Sequence, residues 1–441
     1  MSSMILRNGR IIDPSMILDE VGDVLVVDGT IEQISDIKNP IEGWRVDEID
    51  CDGCIVCPGL IDIHVHFREP SGGKHEETIS SGSASAVAGG FTTVCTMPNT
   101  TPAMDSPEAI THVIAIAKSI GLCNVFPTGC ATIGRQGETV APIEDMVAAG
   151  AIAITDDGAV VEDANIMEEV LALCKKCNVP FMQHCQDPKT TVGGVMHEGD
   201  VQRELGYGSW PRIAEESIVA RDIEINNAIG AWWHAQHISS GGTVDLIRNA
   251  QGKKIPFTGE ASPHHLLLTD EACKTIGVMA KMNPPLREQS DIDAIKAGIL
   301  DHTIAILATD HAPHPLHSKE CSFPEASFGI VGLECALALY AKALIDEGPL
   351  DWLQMLELMT YNPANLIRRQ SLGTLRSDSR ADISIIDPNY PWTIDSTKFA
   401  SMGRNCPFDG WKVNCKPIAT IYGGKIVHET LGDRLKRCVK V

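Results

Sequence analysis

Between residues 58 and 374 the chain alternates apolar, strand-like runs with amphipathic helical stretches, and no other feature limits its fold as strongly. The runs are GLIDIHVHF (59–67), TTVCTMP (92–98), NVFPTGCAT (124–132), AIAITDD (151–157), PFMQHC (180–185), WWHAQHIS (232–239), KIPFTGEA (254–261) and TIAILATDHAP (303–313). Helical periodicity fills intervening stretches such as 76–88, 164–177 and 215–229. Near-continuous apolar strands joined by helices imply a parallel sheet buried on both faces. Eight such units predict an α/β fold of the closed (β/α)8 TIM-like kind, typically about 250 residues plus insertions. A doubly wound open sheet would want a glycine-rich phosphate turn after its first strand, where this chain has polar and charged groups instead.

The ends have another texture. Residues 1–57 hold short β-type runs punctuated by Asn8-Gly9 and Asp28-Gly29, which are favoured hairpin dipeptides, and no helix of useful length fits there. Beyond residue 375 the same style returns in ADISIIDP and PIATIYGGKIVHE, with a turn at Gly423-Gly424. The economical reading is one small β domain assembled from 1–57 and 375–441 around an inserted barrel at 58–374.

A formal charge of −22 repels phosphate backbones and anionic headgroups, so nucleic acid is not an expected partner. No apolar run approaches the roughly 18 residues of a spanning helix, and MSSMILRNGR carries no export signature. Cytoplasmic residence is therefore expected, with the 15 cysteines as reduced thiols.

His64 and His66 stand two apart at the C-terminal end of the first predicted strand, so both rings point to one face. Other runs also end in polar groups: Asp156 and Asp157 on the fourth, His184 on the fifth, His234 and His237 on the sixth, and Asp310 on the eighth. In a barrel these ends form the mouth where active sites are built. Converging imidazoles and carboxylates suit zinc or a similar divalent ion, with room for one or two ions. Alternation cannot choose between Asp156 and Asp157, nor between His234 and His237.

PGLIDIHVHFREP, GGFTTVCTMPNT, the DDG at 156–158, HC at 184, QHIS at 236, MNPPLR at 282 and TDHAPH at 309 together resemble the amidohydrolase superfamily, and within it the bacterial-type dihydroorotases. The flanking segments are similar to that family's small β-sandwich domain. The resemblance implies metal ligands His64, His66 and Asp310 for one ion and His184 and His237 for a second, with Asp157 bridging them or completing a site. An aspartate there replaces the carboxylated lysine of many relatives. It further implies that Arg68 and Asn99 grip a substrate carboxylate with His314 beside them, that Asn283 touches the ring, and that Phe328 and Gly329 offer it backbone contacts. An arginine fork suits a carboxylate. The implied reaction is reversible, metal-dependent hydrolysis of L-dihydroorotate to N-carbamoyl-L-aspartate, with Asp310 moving the proton and the polar loop 315–327 covering the mouth. For assembly the resemblance implies a homodimer and, in some relatives, association with aspartate transcarbamoylase.

Plainer readings apply elsewhere. His311, His264 and His265 are expected as core or supporting histidines, and His75 and His197 as solvated ones. Cys51, Cys54 and Cys57, like Cys174 and Cys177, have metal-like spacing but are expected to be small core residues. Gly241-Gly242 is expected to be a tight turn, because no Walker lysine accompanies it. Hydantoinases and allantoinases generally carry the bridging lysine and lack the arginine–asparagine pair. A nucleobase deaminase would not need an arginine for a substrate without a carboxylate, and a noncatalytic partner of the transcarbamoylase would be expected to have lost ligands that this chain keeps.

Overall fold

In the computed structural model, which describes residues 3–35, 37, 46–70, 76–430 and 436–440, the central runs form a ring of parallel strands. Leu60–Val65, Phe91–Thr96 and Asn124–Pro127 pair in that order. Phe181–Gln183, Trp233–Ala235, Phe257–Ala261 and Ile306–Leu307 pair in theirs. The run at 151–157 joins the two sets through isolated bridges of Ile154 to Gly129 and to Phe181 rather than through a regular ladder. Backbone hydrogen bonds run from Ile152 N to Pro127 O, Gly129 N to Ala153 O and Thr155 N to Gly129 O, and beyond them the Asp156 carboxylate accepts the Ala131 and Thr132 N–H groups at 2.8 and 3.1 Å.

The ring closes where His66 N–H donates to His311 O at 2.9 Å. The Asp62 carboxylate braces that seam by accepting from Thr309 N and His64 N. One apolar cluster unites Ile61, Cys95, Ile152, Met182 and Ile306 from opposite sides of the ring, and so fills its interior. Helices Ile79–Ala88, Ala164–Cys177 and Ile213–Ile229 lie where periodicity predicts. In the second, Asp163 caps the N-terminus, Asn178 closes the other end in a left-handed conformation, and Met167, Val170, Leu171 and Cys174 form the buried face.

Strands from both chain ends share one nine-stranded sheet. Its main path runs Lys425–Glu429, Lys416–Tyr422, Ile383–Asp387, Ile55–Pro58, Ser3–Asp13, Leu18–Val27 and Thr30–Ser35, so the C-terminal strands pair with the residues that lead into the barrel. Asp28-Gly29 makes the expected hairpin turn with positive φ at both residues. Asn8-Gly9 does not: it forms a bulge within Ser3–Asp13, where the sheet forks. Ahead of the bulge the strand pairs with Val46–Asp50, and after it with Ile55–Pro58. A Cβ on Gly9 would lie 2.6 Å from Val56 Cγ2, so this close approach requires glycine.

Candidate active site

The strand ends converge on a cavity of about 310 Å³. His66, Asp157, His184, His237 and Asp310 line it, with His64 fully buried among them. His64 Nδ1 lies 2.5 Å from Glu260 Oε1, and the carboxylate accepts the Nδ1–H, so Nε2 is the nitrogen turned to the centre. That Nε2 has no hydrogen-bond partner, and neither has Asp157 Oδ1, 3.4 Å away. Asp310 Oδ1 lies 3.4 Å from the same Nε2 and 2.9 Å from His66 Nε2. Asp157 Oδ1 is 3.7 Å from His184 Nδ1 and 3.8 Å from His237 Nε2. Two overlapping donor groups result, His64–His66–Asp310 and His64–Asp157–His237, each with its atoms within 4.8 Å of one another. Buried nitrogen and oxygen atoms that lack hydrogen-bond partners and are aimed at a shared centre are costly, and they fit a divalent cation.

The structure also resolves the pairs that alternation leaves open. Asp156 is held away from the centre by Thr132 Oγ1 at 2.5 Å. His234 turns to Thr258 Oγ1 and Glu260 Oε2 at 2.8 and 3.0 Å, whereas His237 faces Asp157. His237 and Asp310 both hold positive φ, 31° and 47°, a conformation that non-glycine residues keep only where surrounding structure enforces it. Burial opposes ionisation of Asp157 and Asp310, but the neighbouring imidazoles overcome it and hold both carboxyls below the usual range. His64 is pushed up despite its burial by Asp310, Glu260 and Asp157. His184, desolvated and beside His237, falls to about 4.

The same cavity is also lined by Arg68, Asn99, Asn283, His314, Phe328 and Gly329. Arg68 Nε donates to Pro313 O at 3.3 Å, and its Nη2 lies 3.4 Å from His314 Nε2. Burial first, then Arg68 and Lys319, lower His314 to about 3, so its ring is neutral at pH 7. Asn99 Oδ1 meets His66 Nδ1 at 3.0 Å. Gly329 has φ 138°, and a Cβ there would lie 2.8 Å from Ala312 O, so the backbone passes where only glycine fits. The polar segment 315–327 is fastened by two lysine side chains. Lys319 Nζ donates to Val278 O and Lys281 O at 3.1 and 3.2 Å, and Lys281 Nζ to Ala326 O and Pro324 O at 2.7 and 2.9 Å. Lys281 Nζ also sits 4.3 Å from the centre of the Phe328 ring.

Sequence reasoning missed Glu260 and Gln186. Glu260 stands in the apolar run KIPFTGEA, and a carboxylate in a strand buried on both faces is a readable signal. Gln186 lies just past a strand and carries none. His197 is not solvated: it is 1% exposed, with Nδ1 3.2 Å from Arg287 Nη1. His311 accepts from Gly332 N, and His264 and His265 both meet Ser262 Oγ, as supporting histidines do. Cys51, Cys54 and Cys57 are buried, as small core residues are. Gly241 N–H donates to Asp291 Oδ1, which occupies the position an anion would take. His75 lies outside the described residues.

A family model described as dihydro-orotase-like matches residues 53–242. Dihydroorotase from Pelobacter propionicus is 42% identical over 426 residues, covering 97% of this chain and 99% of that protein. Dihydroorotase from Pelotomaculum thermopropionicum is 42% identical over 434 residues, covering 98% and 100%. Among solved structures, L-hydantoinase (dihydropyrimidinase) from Arthrobacter aurescens superposes with a TM-score of 0.85 at 24% identity, over 97% of this chain and 96% of that one. D-hydantoinase (dihydropyrimidinase) from Thermus sp. gives 0.82 at 22%, over 98% and 97%. Likeness at that identity speaks to the fold: a barrel with an appended β domain.

Proposed function

The chain belongs to the dihydroorotase family, and from that premise we propose how its residues carry out the reversible hydrolysis of L-dihydroorotate to N-carbamoyl-L-aspartate, the ring-forming step of pyrimidine biosynthesis. Residues 58–374 are the catalytic unit, and 1–57 with 375–441 its β flank. His64, His66, Asp157, His184, His237 and Asp310 would hold one or two divalent ions, which we assign as zinc from the nitrogen and oxygen donors. Such an ion, when bound, polarises a carbonyl and lowers the pKa of water from about 15.7 to about 7. A homodimer, and docking to aspartate transcarbamoylase, rest on the resemblance alone; the mass of the purified protein, with and without that partner, tests them. Among the described residues no helix is long and apolar enough to cross a membrane.

Arg68 and Asn99 take the substrate's carboxylate, with the neutral His314 beside them, while Asn283 and the Phe328-Gly329 backbone hold the ring. Asp310, ionised by its imidazole neighbours, accepts the proton of the attacking water and delivers it to the departing amide nitrogen. In the reverse direction the same residue begins as the acid. One observation carries the reading: an arginine and a buried donor cage line the same small cavity. A neutral cyclic amide would offer that arginine no charged partner. Both directions should be measured against pH for the wild type and for Asp310→Asn. The variant should lose both, and wild-type hydrolysis should decline as pH falls while cyclisation persists lower. Parallel profiles, or an active Asp310→Asn enzyme, would overturn the proton assignment.

A further inference from the structure

A single threonine fixes the hydrogen-bond roles of three side chains around the cavity. Thr191 Oγ1 lies 3.0 Å from the Asp187 carbonyl, which can only accept, so the hydroxyl proton is committed there. Its oxygen must then accept from the Gln186 end 3.2 Å away, which is therefore the NH2. The Gln186 carbonyl oxygen faces the other way, 2.9 Å from His184 Nε2 and 3.1 Å from Asn283 Nδ2. Because that oxygen accepts only, His184 carries its proton on Nε2 and presents a bare Nδ1 to Asp157 and His237. Asn283 likewise gives its NH2 to Gln186. Its Oδ1 is left buried with no partner, on a residue that lines the cavity.

We propose that Gln186 is a positioning residue that couples the metal centre to recognition of the substrate ring. One carbonyl oxygen sets the ligating nitrogen of His184 and also turns Asn283 so that an acceptor, not a donor, meets the ring. The complementary group is a ring amide N–H. Gln186 lines a neighbouring cavity rather than the catalytic one, so it acts through its two partners. The ring half of this inference rests on the dihydroorotase reading, and the metal half does not.

Chelator competition on the purified protein, with zinc as the probe, reads the metal half without any substrate. Gln186→Met should weaken zinc binding about 10- to 100-fold, whereas Gln186→Glu, which keeps an acceptor oxygen, should stay near wild type. For dihydroorotate, zinc-saturated Gln186→Met should show KM raised roughly two- to tenfold, the loss of one hydrogen bond. Asn283→Ala should raise KM and leave zinc affinity alone. The double variant should have the KM of Asn283→Ala, because nothing remains to orient. Additive KM effects, or wild-type zinc affinity in Gln186→Met, would overturn the proposal. Should Gln186→Met fail to fold, Thr191→Val frees the amide to flip: severalfold weaker zinc binding supports the coupling, and unchanged binding refutes it. If the wild type binds zinc yet leaves dihydroorotate untouched, the family reading fails while the zinc results still judge Gln186.

Discussion

Replacing Glu260 by glutamine removes one charge from beneath the metal centre and keeps the shape. The carboxylate is fully buried and accepts from His64 Nδ1 at 2.5 Å, His234 Nε2 at 3.0 Å and His237 N at 3.0 Å. Burial opposes its ionisation, but the His64 charge and the bonds from His234 and His64 pull its pKa from 4.5 to about 2. At 1.36 kcal/mol per decade that depression corresponds to about 3 kcal/mol of native-state stability. Because the folded pKa lies below the unfolded one, the contribution is complete above about pH 5 and drains as pH falls towards 2. An amide fits if its NH2 turns to His234, whose proton can move to Nδ1 and be donated to Thr258 Oγ1 at 2.8 Å. Urea unfolding of metal-stripped Glu260→Gln should therefore show a loss of about 3 kcal/mol at pH 7, narrowing below about pH 4.5. Chelator competition should show zinc held about 10- to 100-fold less tightly. A variant within about 0.5 kcal/mol of wild type at pH 7, holding zinc equally well, would refute the reasoning.

Arg68→Met should raise KM for dihydroorotate about 10- to 100-fold with kcat little changed, since a charged hydrogen bond present in ground and transition states alike is lost; an unchanged KM removes Arg68 from the carboxylate site. Lys319 is lowered to about 7 by burial and then by Lys281, against about 10.4 in an unfolded chain. The unfolded state thus binds more protons between pH 7 and 10, and wild-type stability should rise across that window relative to Lys319→Met, by up to about 4 kcal/mol. Parallel Tm curves for the two proteins from pH 7 to 10 would contradict this.

The barrel is legible in the sequence because strands buried on both faces read as continuous apolar runs, and its mouth because those runs end in histidine and aspartate. Periodicity fixes which residues alternate but not which way the first one points, so Asp156 and Asp157 stay equivalent until Thr132 is seen to hold the former. Beyond Thr155 the Asp156 side chain, not the backbone, accepts the Ala131 and Thr132 N–H groups, which alternation does not reveal. Asn8-Gly9 has the composition of a turn, yet its neighbours continue as one strand because Val56 packs against the glycine. His197 sits among polar sequence neighbours and is covered by Arg287 and Trp210, which approach from elsewhere in the chain. Gln186 is silent in sequence, since its role exists only once Thr191, His184 and Asn283 surround it.

The metal dependence of the reaction is tested most directly by ring opening before and after the donor cage is emptied. Protein dialysed against a strong chelator, then reloaded with zinc, should lose and regain consumption of dihydroorotate in step with its metal content. Undiminished ring opening in the stripped protein would contradict it, and so would a loaded enzyme that ignores dihydroorotate while opening a neutral hydantoin.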